Sequence, residues 1–322
     1  MYRRAFITSS LVLPSILASR CSVSQSAAPK HNGLKLSLSQ WALHREQFGK
    51  SKENYAQWQK WLETDADKVL EGPLKPLDFP SVARKMNFDA VEYVNTFFYR
   101  KEDAYFKALR QRSDDANIQN LLIMVDEEGF LGHPDATARN QAIERHKRWL
   151  QAAAILGCHS IRVNAHSIGK KEVQQQLAAA GLARLCELAE PFRLNVIIEN
   201  HGGMSSHPEW LVDTIRATGK SNIGTMVDFD NFDYSETKIW GGENRYNRYL
   251  GVELLMPYAK SVSSKAHAFD DQGYETSVDF KKMIKIVKKA KFKGYVSVEY
   301  EGNGLSERDG IEATKKLLER YL

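Results

Sequence analysis

The chain has 322 residues, 43% of them hydrophobic and 26% charged, with a formal net charge of +5. These are ordinary globular values, enough for one sizeable core in one large domain or two small ones. They leave no place for a low-complexity chain, and past the N-terminus no apolar run reaches the 18 residues a membrane span needs.

The first 28 residues read as an export signal. A basic start precedes a short apolar stretch from Ala5 to Ala18, and Ser, Ala and Pro follow. Arg3-Arg4 before Ala5-Phe6-Ile7 resembles a twin-arginine signal; an ordinary secretory signal carrying two arginines is the alternative. Cys21 invites lipidation, but Arg20 sits where a lipobox needs a small residue, so lipoprotein anchoring is the weaker expectation. Cleavage is expected near Ala28 and the destination is expected to be the periplasm. The leader carries three arginines (Arg3, Arg4, Arg20) and no acid, so its removal lowers the formal charge from +5 to +2. A near-neutral mature chain implies no nucleic-acid partner. Only Cys158 and Cys186 then remain, which is neither a disulfide framework nor a zinc motif.

From residue 29 onward the chain predicts a single domain built on a strand–helix rhythm. The β-rich runs are 34–40, 89–95, 120–126, 160–166, 195–200, 223–229, 259–267 and 294–300. Amphipathic stretches such as "ARNQAIERHKRWLQAAAILG" and "SVDFKKMIKIVKKAKF" lie between them, with Ser277 and Asp279 offering N-caps to the latter. Eight such units predict a (β/α)8 TIM barrel, with a doubly wound sheet as the alternative. Insertions at about 42–76 and 230–250 interrupt the rhythm. Tyr55, Trp58 and Trp61 in the first either stack on a sugar face or pack into a small core of their own.

In such barrels chemistry sits where the strands end at their C-termini. Polar residues recur there in alternate pairs: Arg162 and Asn164, Glu199 and His201, Asp228 and Asp230, Lys265 and His267, Glu299 and Glu301, with Glu92 near the end of the second run. A barrel without a site would not collect them, because each buried carboxylate needs a partner. Glu199, Asp228, His267 and Glu299 end four consecutive strands and are spaced 29, 39 and 32 residues apart. Three carboxylates and an imidazole meeting at one point call for a divalent cation, since like charges would otherwise force protonation. Manganese, cobalt, magnesium and zinc all suit such a donor set.

On "IIENH", "MVDFDNF", "KAHAFD" and "VSVEYEG", the chain from about 34 to 320 resembles the sugar phosphate isomerase/epimerase superfamily, the xylose-isomerase-like barrels that include ketose 3-epimerases. The resemblance implies one divalent metal, manganese favoured, on Glu199, Asp228, His267 and Glu299, and a dimer is common in such families. It implies proton transfer through an enediolate, with Glu199 and Glu299 as the acid/base pair. His201 and Lys265 are further catalytic candidates, Lys265 being equally well placed for a salt bridge. Arg162, Asn164, Asn231, Glu92 and Asp270 are candidates to bind substrate. Asn231 stands where the epimerases carry a histidine, and Lys265 is no part of their motif. The expected activity is therefore a metal-dependent isomerase or epimerase acting on a free sugar or keto-sugar. A lyase, dehydratase or keto-glycoside-cleaving enzyme on the same site is the alternative, ahead of a sugar-binding barrel or an endonuclease IV-like hydrolase.

Overall fold

The computed structural model describes residues 33–322, which form one compact unit. The export signal, its cleavage near Ala28 and Cys21 lie outside the described residues. Eight parallel strands close a barrel: β1 (Leu34–Ser39), β2 (Ala90–Val94), β3 (Gln119–Met124), β4 (Ser160–Val163), β5 (Asn195–Glu199), β6 (Ile223–Asp228), β7 (Ala259–Ala266) and β8 (Gly294–Tyr300). Each strand pairs with the next in sequence, and β8 returns to β1 from Leu34↔Gly294 to Leu38↔Val298. The doubly wound alternative is thereby excluded, because an open sheet has edges and this one has none.

Local chemistry explains the helices between the strands. The helix after β3, Ala136–Leu156, starts where the Asp135 side chain accepts the Ala138 N–H (2.7 Å). It stops at Gly157, whose φ of 73° gives the left-handed turn that glycine adopts without strain. The helix after β7, Phe280–Lys289, buries Phe280, Met283, Ile284 and Val287 at three- and four-residue spacing and turns its lysines outward. Asp279 caps it, while Ser277 instead donates to Glu275.

Two segments interrupt the alternation of barrel strands and helices. Residues 42–76 form short helices, including Tyr55–Thr64, around Trp58, which is 1% exposed and meets the Phe48 ring edge-on at 5.5 Å. Trp58 thus packs into a small core of the insertion, while Tyr55, stacked on it, stays half exposed. Residues 230–250 form a small antiparallel ribbon, Asp233–Tyr234 with Asn244–Arg245, on the way to the helix Arg248–Leu255. Cys158 and Cys186 are both buried and free. Among the described residues no helix is long and apolar enough to cross a membrane.

Candidate functional site

A cavity of about 960 Å³ opens where the strands end. Its floor is charged, and the two-residue period of the strands explains why. Inward side chains alternate, so the last ones on β4, β5, β7 and β8 are Arg162, Glu199, Lys265 and Glu299. All four are nearly inaccessible to solvent. Buried charges survive only when paired, and each of these is. Arg162 Nη1 lies 2.7 Å from Asp126 Oδ1, and its Nε lies 2.9 Å from Glu199 Oε2. The second contact is a charge pair whose geometry falls short of a hydrogen bond, since both atoms lack one. Asn231 Nδ2 donates to the other Glu199 oxygen (3.0 Å). Lys265 Nζ sits 3.4 Å from Glu299 Oε1 and 3.2 Å from Glu301 Oε1, while Ser39 Oγ donates to Glu299 Oε2 (2.7 Å).

Beside this floor stands a neutral relay. Asn164 Nδ2 donates to Asp126 Oδ1 (2.8 Å), which orients the amide so that its oxygen faces His201 Nδ1 (2.9 Å). That contact puts the His201 proton on Nδ1 and leaves Nε2 as the bare nitrogen. Burial, reinforced by the Arg162 charge, pushes His201 well below the usual imidazole range, so the ring stays neutral.

Burial likewise raises Glu199 and Glu299 above ordinary carboxylates, against the pull of Arg162 on the first and Lys265 on the second. Asp228 is pushed up to about 8, by burial first and by Glu199 and Glu299 besides. For Glu301 burial acts in the same sense, but Lys265 beside it wins and holds the carboxyl at about 2. Lys265 is held well above the ordinary amine range, because Glu301, Asp228, Glu299 and Glu199 together outweigh its burial.

Of the residues singled out in the sequence, Glu199, Glu299, His201, Lys265, Arg162, Asn164 and Asn231 line the cavity. Glu92, Asp228, His267 and Asp270 do not. Glu92 lies one layer deeper, fully buried, where Ser261 donates to it from across the barrel (2.8 Å). Asp228 spends Oδ1 on the backbone N–H groups of Asp230 (2.8 Å) and Asn231 (2.9 Å). His267 follows the last residue of β7 and turns away, its Nε2 3.2 Å from Asp230 Oδ2. Asp270 accepts from the N–H groups of Gln272 and Tyr274 in the next turn.

The four-residue metal set is therefore not assembled. Among the described residues no group of three or more His, Cys, Asp or Glu is arranged to hold a metal ion. Its histidine points elsewhere, and a lysine ammonium stands among the remaining carboxylates. The residues present do not fit a Glu–Asp–His–Glu centre.

Four contributors lie outside the four residues spaced 29, 39 and 32 apart. Asp126 ends the run "NLLIMVD", so the rule used for the other strands would have found it. Glu301 follows Glu299 at the same period. Trp240, on the second insertion, stands over His201 with ring centroids 4.7 Å apart, and Lys52 lies 4.0 Å above Trp41 at the opposite rim. No periodic signal marks either of these last two, because loops place them.

A family model described as the xylose isomerase-like TIM barrel matches residues 80–321. No curated protein matches the sequence. The fold is similar to that of a solved L-ribulose 3-epimerase (TM-score 0.65, 12% identity, covering 89% of this chain and 95% of that one). It is similar also to D-psicose 3-epimerase solved in the presence of D-fructose (0.62, 14%, 78% and 94%). A third likeness is to the 3-keto-D-glucoside 4-epimerase of E. coli (0.61, 15%, 77% and 95%).

Proposed function

Because the chain belongs to the xylose isomerase-like TIM barrel family, we propose that it is a carbohydrate isomerase or epimerase acting on a free sugar or keto-sugar. The observation that carries this reading is the pair Glu199 and Glu299, two buried carboxyls on β5 and β8 with Arg162 and Lys265 between and beside them. A hydrogen alpha to a sugar carbonyl is a weak acid, and its removal leaves negative charge on the adjoining oxygens. Fixed cations in a water-poor pocket stabilise that charge without reorganising. A carboxyl raised above the ordinary carboxylate range is better matched to move the proton. Glu199 takes it from one face and Glu299 delivers a proton to the opposite face of the same carbon, which inverts that carbon; delivery to the neighbouring carbon instead, with the hydroxyl proton passing between the two oxygens, shifts the carbonyl. His201, neutral and with Nε2 bare, is an acceptor for a sugar hydroxyl. Arg162, Asn164 and Asn231 orient the remaining hydroxyls.

The structural likenesses to sugar epimerases support this class of substrate. An exported protein meets unphosphorylated sugars, so the leader favours a free sugar, keto-sugar or glycoside. The test is incubation of the mature protein with keto-sugars and keto-glycosides in D2O. Deuterium is expected to enter the carbon alpha to the carbonyl without loss of water or aglycone. Glu199→Gln and Glu299→Gln should each slow epimerisation by about 10²–10⁴-fold with the fold intact by circular dichroism. Epimerisation that survives both substitutions, or product that has lost water, overturns the reading.

A further inference from the structure

We propose that Lys265 is the resident cation of this site, its ammonium standing where the resemblance places a divalent metal, and that the protein therefore takes no catalytic metal. The inference refines the isomerase or epimerase reading and rests on it for the identity of the reaction. Its geometry is independent of that reading.

Register puts Lys265 in the ligand layer. It is the Cα partner of Glu299 in the β7–β8 pairing, and Ser263, two residues earlier on the same face, is the partner of Asp228. Lys265 is thus the last inward side chain of β7, since the strand ends at Ala266. Its Nζ lies within 3.4 Å of both Glu299 and Glu301, and the side chain is 6% exposed. The nitrogen donor that a metal centre would need from this strand, His267, lies beyond that layer. It is tied to Asp230, whose other oxygen is held by Arg245 (2.9 Å) and Arg248 (2.8 Å). His267 cannot swing inward without breaking that pair. A dication brought beside Glu299 would face the ammonium at close range in a poorly screened interior, and the two would repel. Asp228 has one oxygen engaged by two backbone N–H groups, so it presents at most its remaining one.

The chemistry changes accordingly. A divalent ion chelates two substrate oxygens at once, whereas an ammonium offers one charge and three N–H donors on a fixed stem. Lys265 would stabilise the charge that develops on a substrate oxygen by hydrogen bonding, and the arrangement of substrate hydroxyls would fall to Arg162, Asn164 and Asn231.

The test needs no substrate. Elemental analysis of the mature protein, purified without chelator, should find no stoichiometric manganese, cobalt, magnesium or zinc. Its melting temperature should move neither with EDTA nor with each of these ions added. Lys265→His replaces the ammonium by a neutral nitrogen donor beside Glu199, Asp228 and Glu299. It should gain a melting-temperature increase that depends on manganese concentration, as any ligand bound only by the folded state produces. Wild-type protein that carries one equivalent of metal, or that melts lower in EDTA, overturns the proposal even if the variant does not fold. A folded Lys265→His that no cation stabilises also overturns it, because the lysine would then not stand at a cation position. Absence of activity on every sugar tested, with these metal results as expected, would sink the isomerase or epimerase reading and leave the resident cation standing.

Discussion

Glu92 lies at the centre of the barrel beneath the site, with one oxygen bonded by Ser261 and the other lacking a hydrogen bond. Burial raises its carboxyl to about 7, and the nearby Glu299 and Glu199 add to the effect. A carboxyl whose native value exceeds its unfolded one binds more protons in the native state. Its contribution is therefore most favourable below about pH 4.5 and is lost as pH rises toward 7. Glu92→Gln removes that term. Relative to wild type, the variant should gain stability between pH 5 and pH 8 by up to about 3 kcal/mol, read from urea unfolding at both values. An unchanged difference across that range would refute the raised value. The residue is visible in the sequence as a strand acid, but its depth is not. Alternation says which face a side chain takes and not which layer it occupies. Asp126, two residues past the last residue of β3, is visible as the acid closing its run, but its role as the partner of Arg162 is not.

The strands themselves are legible because parallel barrel strands are apolar runs that end in polar alternation, and all eight appear within a few residues of where the sequence puts them. The role of His267 is not legible. Alternation places it on the same face as Lys265 only while the strand continues, and β7 stops between them. Loops resist the same logic, as the segment over the pocket shows. Gly202 and Gly203 both have positive φ, and the Gly203 N–H donates to the Ile239 carbonyl (2.8 Å). A Cβ on Gly202 would lie 2.5 Å from that carbonyl and 2.8 Å from the Trp240 ring. The two glycines after His201 therefore serve the close approach of the second insertion, which sets Trp240 over the site. Trp240→Ala should raise KM about tenfold, or about 1.4 kcal/mol of binding, with kcat little changed. Gly202→Ala should raise KM in the same direction and cost about 1–3 kcal/mol of stability through φ strain and contact. Steady-state kinetics and thermal melts separate the two effects. An unaltered KM in both variants would remove Trp240 from substrate binding.

For the molecule as a whole, the N-terminal segment makes a prediction of its own. If Arg3 and Arg4 form a twin-arginine signal, replacing both with lysine should hold the full-length chain in the cytoplasm, as seen by fractionation and retention of the leader. Equal export of that doubly substituted chain would favour an ordinary secretory signal. Within the barrel, the two walls of the pocket differ in how they are built. On one side Trp58 lines the cavity while its ring sits 1% exposed in the core of the first insertion, stacked on Tyr55 and against Phe48. On the other, Trp240 is 57% exposed, its ring edge-on to His166 and His201. A substitution at Trp58 meant to admit a different ligand would also hollow out that core, at about 3–5 kcal/mol for loss of the ring. The same change at Trp240 would cost the fold little. Selection in the laboratory for a new substrate should therefore accumulate its first changes around Trp240 and reach Trp58 only after stabilising changes elsewhere have been acquired.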